Sequence, residues 1–278
     1  MYEPKRPPQI NRSTVALSRM RFFVAQVKEY IDLGDPTIDP LHIHDTLEFY
    51  LNGERKVKFL VNGKVYSVES GEMIISRRND VHVCIFPESN TYDYHCLWID
   101  ADFSSPVFSF LRESRFSPHV TFDERKKERL RAILSELYQI QGDENKEVRK
   151  LALILDFLSE ITFSDNKNEQ TSNIPQQLLK VVSYVDENFK SLKSVRDIVE
   201  TNFVSASTLN RQFRTYLQTT PRAYLEARKL SYALKLLKGG CSVTEACIES
   251  GFPDCSHFIV LFKKKFGATP LQYKKTNL

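Results

Sequence analysis

Apolar positions change their period twice along this chain. Across residues 41–98 they fall in short β-branched and aromatic runs separated by turn residues, the signature of strands. Residues 56–61 and 64–68 flank Asn62-Gly63, a dipeptide that tolerates the positive φ angles of a two-residue hairpin turn. Residues 73–76, 82–86 and 94–99 continue the series, and strands at this spacing predict a small barrel or sandwich. Across 123–163 the period becomes helical. Leu130, Ile133, Leu134, Leu137 and Ile140 share one face, and Leu151, Ile154, Leu155 and Leu158 another. The break at residues 142–145 predicts a helix pair that covers the barrel with one face and leaves an apolar remainder for a dimer. Residues 164–173 are polar and aperiodic, as in an exposed linker. Beyond them the pattern is helical to the end.

Composition narrows the classes. Hydrophobic residues at 41% and charged residues at 27% suit a packed core and exclude wholesale disorder. No run approaches the ~18–20 continuous apolar residues of a membrane helix. The first residues lack an apolar signal segment, so the expected setting is cytoplasmic, with no membrane partner. Five cysteines (Cys84, Cys96, Cys241, Cys247, Cys255) include no C-x-x-C pair and are expected as reduced thiols. The net charge of +4 is unevenly spread: residues 174–278 carry 16 Lys/Arg against 8 Asp/Glu, and residues 1–173 carry 23 against 27. A basic second half points to an anionic partner, with double-stranded DNA as the first candidate.

That half repeats itself. Thr220-Pro221 and Tyr224 return 49 residues later as Thr269-Pro270 and Tyr273, and at the same offset Phe213 matches Phe262, Leu209 matches Phe258 and Ser207 matches Ser256. Each copy reads as a short helix, a turn and a second helix, with Ser194, Ser205, Ser242 and Asp254 placed as N-caps. A strong helix over 223–238, ended by Gly239-Gly240, joins the copies. On the second helix of the first copy, Leu209, Phe213 and Tyr216 share the side that anchors. Ser207, Asn210, Arg211 and Arg214 lie opposite. Arg can donate two hydrogen bonds to guanine and Asn can pair bidentately with adenine, so this face suits a major groove. Ser205 and Thr208 flank it, and Asp254, Ser256, His257, Lys263 and Lys264 hold the corresponding places in the second copy.

Leu209-x-Arg211-x-Phe213, Thr220-Pro221-x-x-Tyr224, Gly251-Phe252-x-Asp254-x-Ser256-x-Phe258, Phe262-Lys263, Phe266-Gly267 and Thr269-Pro270-x-x-Tyr273 resemble the DNA-binding domain of the AraC family of transcription regulators. The resemblance covers about a third of the chain. It implies two recognition helices entering successive major-groove segments. The second copy departs from the family: Ile259 and Val260 stand opposite Asn210 and Arg211, and the family usually carries Arg at the place of Val260. The first unit is therefore expected to read bases, and the second to bind mainly phosphate through Lys263, Lys264 and Lys265. Gln218 also replaces a glycine frequent in the family, which Gly267 keeps in the other copy.

Leu41-His42-Ile43-His44 through Glu48, then residues 71–76 and His82, resemble the cupin barrel that such regulators carry as an effector domain. The predicted fold class is thus α+β in two domains: a cupin-like effector and dimerisation domain with a helical pair over 1–163, a linker over 164–173, and an all-α domain with two helix-turn-helix units over 174–278. Strand parity sends His42, His44, Glu48 and Tyr50 to one side, with Tyr94, Cys96 and Trp98 on the facing wall and His82 beside them. This set suits a small polar effector such as a sugar. His42, His44, Glu48 and His82 also match a metal-binding cupin pattern, and three imidazoles with a carboxylate are a fair donor set for a first-row divalent ion. The primary expectation is neither a metal nor any other cofactor, and no enzymatic activity; a metal-dependent cupin enzyme is the rival. Arg77-Arg78 offers an anion contact or a solvated pair, and residues 1–13, with three prolines, suggest an arm over the pocket. A regulator of this kind implies RNA polymerase as a protein partner and a homodimer as the working form.

Overall fold

The structure is a computed structural model that describes residues 13–15, 20–31, 41–100, 118–162, 165–166 and 174–277. The proposed arm before Ser13 and all of the linker except Asp165 and Asn166 lie outside the described residues.

Among the described residues the strands are β1 (Ser13–Val15), β2 (Met20–Ile31), β3 (Leu47–Asn52), β4 (Val57–Val61), β5 (Lys64–Val68), β6 (Met73–Ser76), β7 (His82–Ile85), β8 (Asn90–Asp100), β9 (His119–Thr121) and, after a helix pair, β10 (Asp165–Asn166). They form a seven-stranded sheet in the order β1-β2-β8-β3-β6-β9-β10 and a three-stranded sheet in the order β5-β4-β7. Both sheets face a shared interior of Tyr50, Phe59, Tyr66, Ile74, Cys84, Phe86 and Tyr92. The Asn62-Gly63 turn has positive φ at both residues, 44° and 80°, as its dipeptide predicts. The strand pattern missed β2, which pairs with β8 across eleven positions from Arg21↔Asp100 to Ile31↔Asn90. Phe22 and Val24 are buried while Gln26 and Lys28, on the same face, are exposed, so that face passes from core to solvent along the strand and a simple period of two is masked.

Helices α1 (Glu124–Ile140) and α2 (Glu147–Thr162) cover the outer face of the larger sheet. Asp123 caps α1, its side chain accepting from the Lys126 backbone N–H. The inward face of α1 is the predicted one. That of α2 differs: Leu153, Ile154, Phe157, Leu158 and Ile161 are buried, Leu151 is half-buried and Leu155 is 43% exposed. The sheet's twist selects the 153/157/161 row, leaving Leu155, Tyr138 and Val148 outside.

The C-terminal part holds α3 (Gln176–Asn188), α4 (Val195–Asn202), α5 (Ala206–Leu217), α6 (Pro221–Lys238), α7 (Val243–Glu249), α8 (Cys255–Phe266) and α9 (Pro270–Asn277). Ser194, Ser205, Ser242 and Asp254 cap α4, α5, α7 and α8 as expected, with full capping boxes at Ser194–Asp197 and Ser242–Glu245. Lys229, buried within α6, donates to the Leu192 and Gly251 carbonyls at 2.6 Å each, tying the two helix-turn-helix units to their connecting helix. One sequence expectation is corrected here. Cys247 and Cys255 are joined as a disulfide with Cα atoms 5.8 Å apart, leaving Cys84, Cys96 and Cys241 as free thiols. The turn between α7 and α8 brings the two side chains together, which sequence spacing alone does not reveal.

The two parts share one apolar core. Leu41, Ile43, Leu60, Val65, Val81, Val83 and Ile85 from the strand region pack with Leu178, Val182, Leu230 and Leu234 of the helical region. The outer face of the small sheet is therefore buried against the helices.

Candidate nucleic-acid interface and effector pocket

On α5, Leu209, Phe213 and Leu217 are buried and Tyr216 is half-buried. Ser207, Asn210, Arg211 and Arg214 are all exposed on the opposite side. The residues around this face have local duties. Ser205 Oγ accepts from the Thr208 backbone N–H at 3.1 Å and donates to Thr208 Oγ1 at 2.8 Å, so both hydroxyls serve the cap. Asn210 Nδ2 donates to the Ala206 carbonyl at 2.9 Å. Arg211 and Arg214 have no ion-pair partner among the described residues. Arg211 also borders a shallow cleft with Pro175, Gln212, Thr215 and Tyr216.

On α8, Phe258 and Phe262 are buried, and Ser256, Ile259, Val260, Lys263 and Lys264 are exposed. Asp254 accepts from the backbone N–H groups of Ser256 and His257, so it acts as a cap. His257 is half-buried with Nε2 3.3 Å from Glu226 Oε1 on α6. Lys265 corrects the expected lysine trio: it turns away from Lys263 and donates to the Leu41 carbonyl of the strand region at 2.5 Å. Helical rotation turns position 265 away from position 263 and toward residue 41, whose carbonyl captures it.

At one end of the strand region His42, His44, Glu48 and His82 converge, with one donor atom from each lying within 4.8 Å of the others. An isolated bridge pairs His42 with His82, and the β3–β8 register sets Glu48 against Trp98 and Tyr50 against Cys96. Glu48 Oε2 lies 3.0 Å from His82 Nε2 and 3.9 Å from His42 Nε2, and is hydrogen-bonded to His44 Nε2. Burial alone would raise the Glu48 carboxyl, but the hydrogen bonds from His44 and His82 hold it well below its usual range. Burial lowers His82, and the bond to Glu48 overrides it, raising that imidazole. His42 is pushed down to about 3, by desolvation first and by its neighbour His82 second.

The other predicted effector residues divide. Tyr50 is 3% exposed and stacks on Tyr94 with centroids 4.9 Å apart, so it serves the interior core. Tyr94 donates to Glu29 Oε1 at 2.9 Å, and half-buried Trp98 lies against Phe23. Cys96 donates through Sγ to Glu48 Oε1 at 3.7 Å. Arg78 is held by Asp100 at 3.0 Å rather than left to solvent.

Sequence reasoning missed the contacts between the two parts. Gln218 Nε2 donates to the Phe86 carbonyl at 2.6 Å and its Oε1 accepts from the Phe86 backbone N–H at 3.4 Å. Arg228 donates to Asn62 Oδ1 at 2.9 Å and pairs with Asp186 at 2.7 Å. Ser231 donates to the Asn79 carbonyl at 2.6 Å. Asp45 accepts from Tyr273 Oη at 2.5 Å and pairs with Lys238. The one signal available was the polar Gln218 at a place where glycine is expected.

Comparison with known proteins agrees with both halves. The family model described as an AraC-like ligand binding domain matches residues 29–158, and one described as a helix-turn-helix domain matches residues 199–276. An uncharacterized HTH-type transcriptional regulator of Bacillus subtilis, YbfI, is 28% identical over 228 residues, covering 78% of this chain and 80% of that protein. The HTH-type transcriptional activator RhaS of Escherichia fergusonii is 23% identical over 244 residues, covering 85% and 87%. A crystal structure of ToxT from Vibrio cholerae superposes loosely, with a TM-score of 0.37 and 14% identity over 92% of this chain and 98% of that one. Among the described residues no helix is long and apolar enough to cross a membrane. With an AraC-like ligand-binding region ahead of a helix-turn-helix region, and with relatives matched along most of their length, the chain belongs to the AraC family of transcription regulators.

Proposed function

We propose that this regulator reads a specific DNA sequence through α5, grips the adjacent phosphates through α8, and adjusts both to a small ligand held near Glu48. The observation that carries the reading is the outward face of α5. Ser207, Asn210, Arg211 and Arg214 are exposed together on a helix whose opposite face is locked in the core. On α8 the matching places hold Ile259 and Val260 beside Lys263 and Lys264. An apolar pair discriminates bases weakly, whereas lysines attract phosphate whatever the sequence.

The pocket acts in sensing rather than catalysis, because its strand segment is bound to the DNA-binding helices through Asp45 and Lys265. Ligand binding then biases how those helices sit. The protein works in the cytoplasm as a homodimer through the outer side of α1 and α2, where Tyr138, Val148 and Leu155 are exposed, and it meets RNA polymerase at the promoter. The test is selection of bound duplexes from a random DNA pool by the full chain at near-physiological salt. One enriched element beside an unselected stretch is expected for each protomer. Two enriched elements a helical turn apart overturn the division of labour between α5 and α8.

A further inference from the structure

His82 is fully buried, and its ring is oriented from behind. Its Nδ1 lies 2.9 Å from the Asp80 carbonyl oxygen. A carbonyl only accepts, so that nitrogen carries the hydrogen. A neutral ring would then present a bare Nε2 lone pair to Glu48 Oε2 at 3.0 Å, so this contact requires either a second proton on the ring or a cation between the two atoms. His44 stands in a similar place: its Nδ1 is 3.0 Å from the Thr46 carbonyl and 3.0 Å from the Thr46 hydroxyl, and its Nε2 contacts the same Glu48 oxygen. His42 brings a third Nε2 to 3.9 Å from that oxygen. Imidazole nitrogens and a carboxylate oxygen thus converge on one point, held in pairs by shared protons that a cation can replace.

A proton satisfies one such pair; a metal ion satisfies all four donors. The nitrogen-rich set with one carboxylate suits first-row divalent ions better than magnesium or calcium. The carbonyl behind His82, like the one behind His44, is the outer-shell support that metal-binding imidazoles need to hold tautomer and direction. We propose that His42, His44, Glu48 and His82 bind one first-row divalent metal ion, and that its loading is transmitted to the DNA-binding domain along residues 41–45. This inference rests on the regulator reading given above and names the ligand class of its pocket.

The transmitting route is short. His42 and His44 alternate with Leu41, Ile43 and Asp45. The Leu41 carbonyl accepts from Lys265 of α8, and Asp45 is held by Lys238 of α6 and Tyr273 of α9. The His44 carbonyl accepts from the Asn79 backbone N–H at 2.9 Å, and the Asn79 carbonyl accepts from Ser231 of α6. Drawing the imidazoles of His42 and His44 toward an ion therefore pulls on the segment that α6, α8 and α9 hold.

The experiment uses the full chain without an affinity tag, stripped with a chelator and titrated with Zn(II) and separately with Mn(II). Calorimetry and elemental analysis read the stoichiometry, and fluorescence anisotropy on a selected duplex reads DNA affinity. One ion per chain is expected, with a change in DNA affinity of about fivefold or more between stripped and loaded protein. His82→Ala should weaken metal binding at least about tenfold. Because His82 and Glu48 are buried, His42→Ala, whose side chain is 35% exposed, serves as the variant that keeps its fold, checked by thermal melting. It should lose affinity for the ion yet bind the duplex as the stripped protein does. No saturable binding of either ion, with DNA selection intact, overturns the metal site and spares the regulator. One bound ion with unchanged DNA affinity overturns the transmission. Failure to select any duplex, stripped or loaded, overturns the regulator reading itself.

Discussion

The two helix-turn-helix units share a skeleton and differ wherever they face outward. Their second helices, α5 and α8, each run twelve residues, start at a side-chain cap and end at a left-handed residue. Buried Leu209 and Phe213 correspond to buried Phe258 and Phe262. Yet Asn210 and Arg211 are matched by Ile259 and Val260, and the left-handed place is taken by Gln218 (φ 51°) in one unit and Gly267 (φ 77°) in the other. A non-glycine residue there is strained, and Gln218 uses the position to reach both backbone groups of Phe86. The repeat thus keeps its packing face, while the outward positions differ: a polar face on α5 against an apolar pair on α8, with tethers to the ligand-binding region through Gln218 in the first unit and Lys265 in the second.

Five perturbations bear on that contrast. The largest acts on both units alike. Lys229→Ala leaves the Leu192 and Gly251 carbonyls without their shared donor and should cost about 3 kcal/mol or more of stability, read by denaturant unfolding. If it lowers the stability of only one unit, Lys229 is no keystone. Next, reducing the Cys247–Cys255 bond opens a loop of eight residues in the second unit and should cost about 2.5 kcal/mol. In the first unit the same places hold Ile198 and Ala206, so hydrogen exchange should rise in α7 and α8 and stay level in α4 and α5. Equal change in both units would show that they unfold as one.

Arg211→Ala should cost about 1–3 kcal/mol of DNA affinity and relax preference at one base position, whereas Lys263→Ala should weaken all sequences evenly and flatten the salt dependence by about one counterion. Matching effects of the two substitutions would erase the proposed difference between α5 and α8. Smallest is Gln218→Gly, which should relieve about 1 kcal/mol of backbone strain while cutting the Phe86 tether. The expected result is unchanged or higher melting temperature together with a weaker response of DNA binding to the sensor's ligand. A loss of stability without change in that response would make Gln218 purely structural.

Much of the fold was legible because it rests on local chemistry. The four helix caps, the Asn62-Gly63 turn and the inward row of α1 each follow from a few adjacent residues. The polar face of α5 was equally visible, since helical period alone separates Arg211 from Phe213. The row that α2 buries was not, because a twisted sheet chose among several apolar rows. Strand β2 went unread because one of its faces passes from buried Phe22 and Val24 to exposed Gln26 and Lys28, and its partner β8 is distant in sequence.

Gly63 shows where local and tertiary reasons meet. Sequence explains it as a turn residue with positive φ, but its turn docks against α3, where a Cβ would collide with the Asp186 carboxylate. His42, His44 and Glu48 were placed on one side by strand parity, and His82 was added by resemblance. What parity cannot supply is the hydrogen that the Asp80 carbonyl fixes on His82 Nδ1, or the clamp that Lys238 and Tyr273 set on Asp45. The amino-acid order by itself therefore determined the elements, their caps, the repeat and the family, because those depend on neighbours within a few residues. The tertiary structure alone decided which apolar row is buried, which lysine leaves the exposed face of α8 and how the pocket touches the helical region. Those outcomes depend on groups far apart in the chain that packing brings within hydrogen-bonding distance.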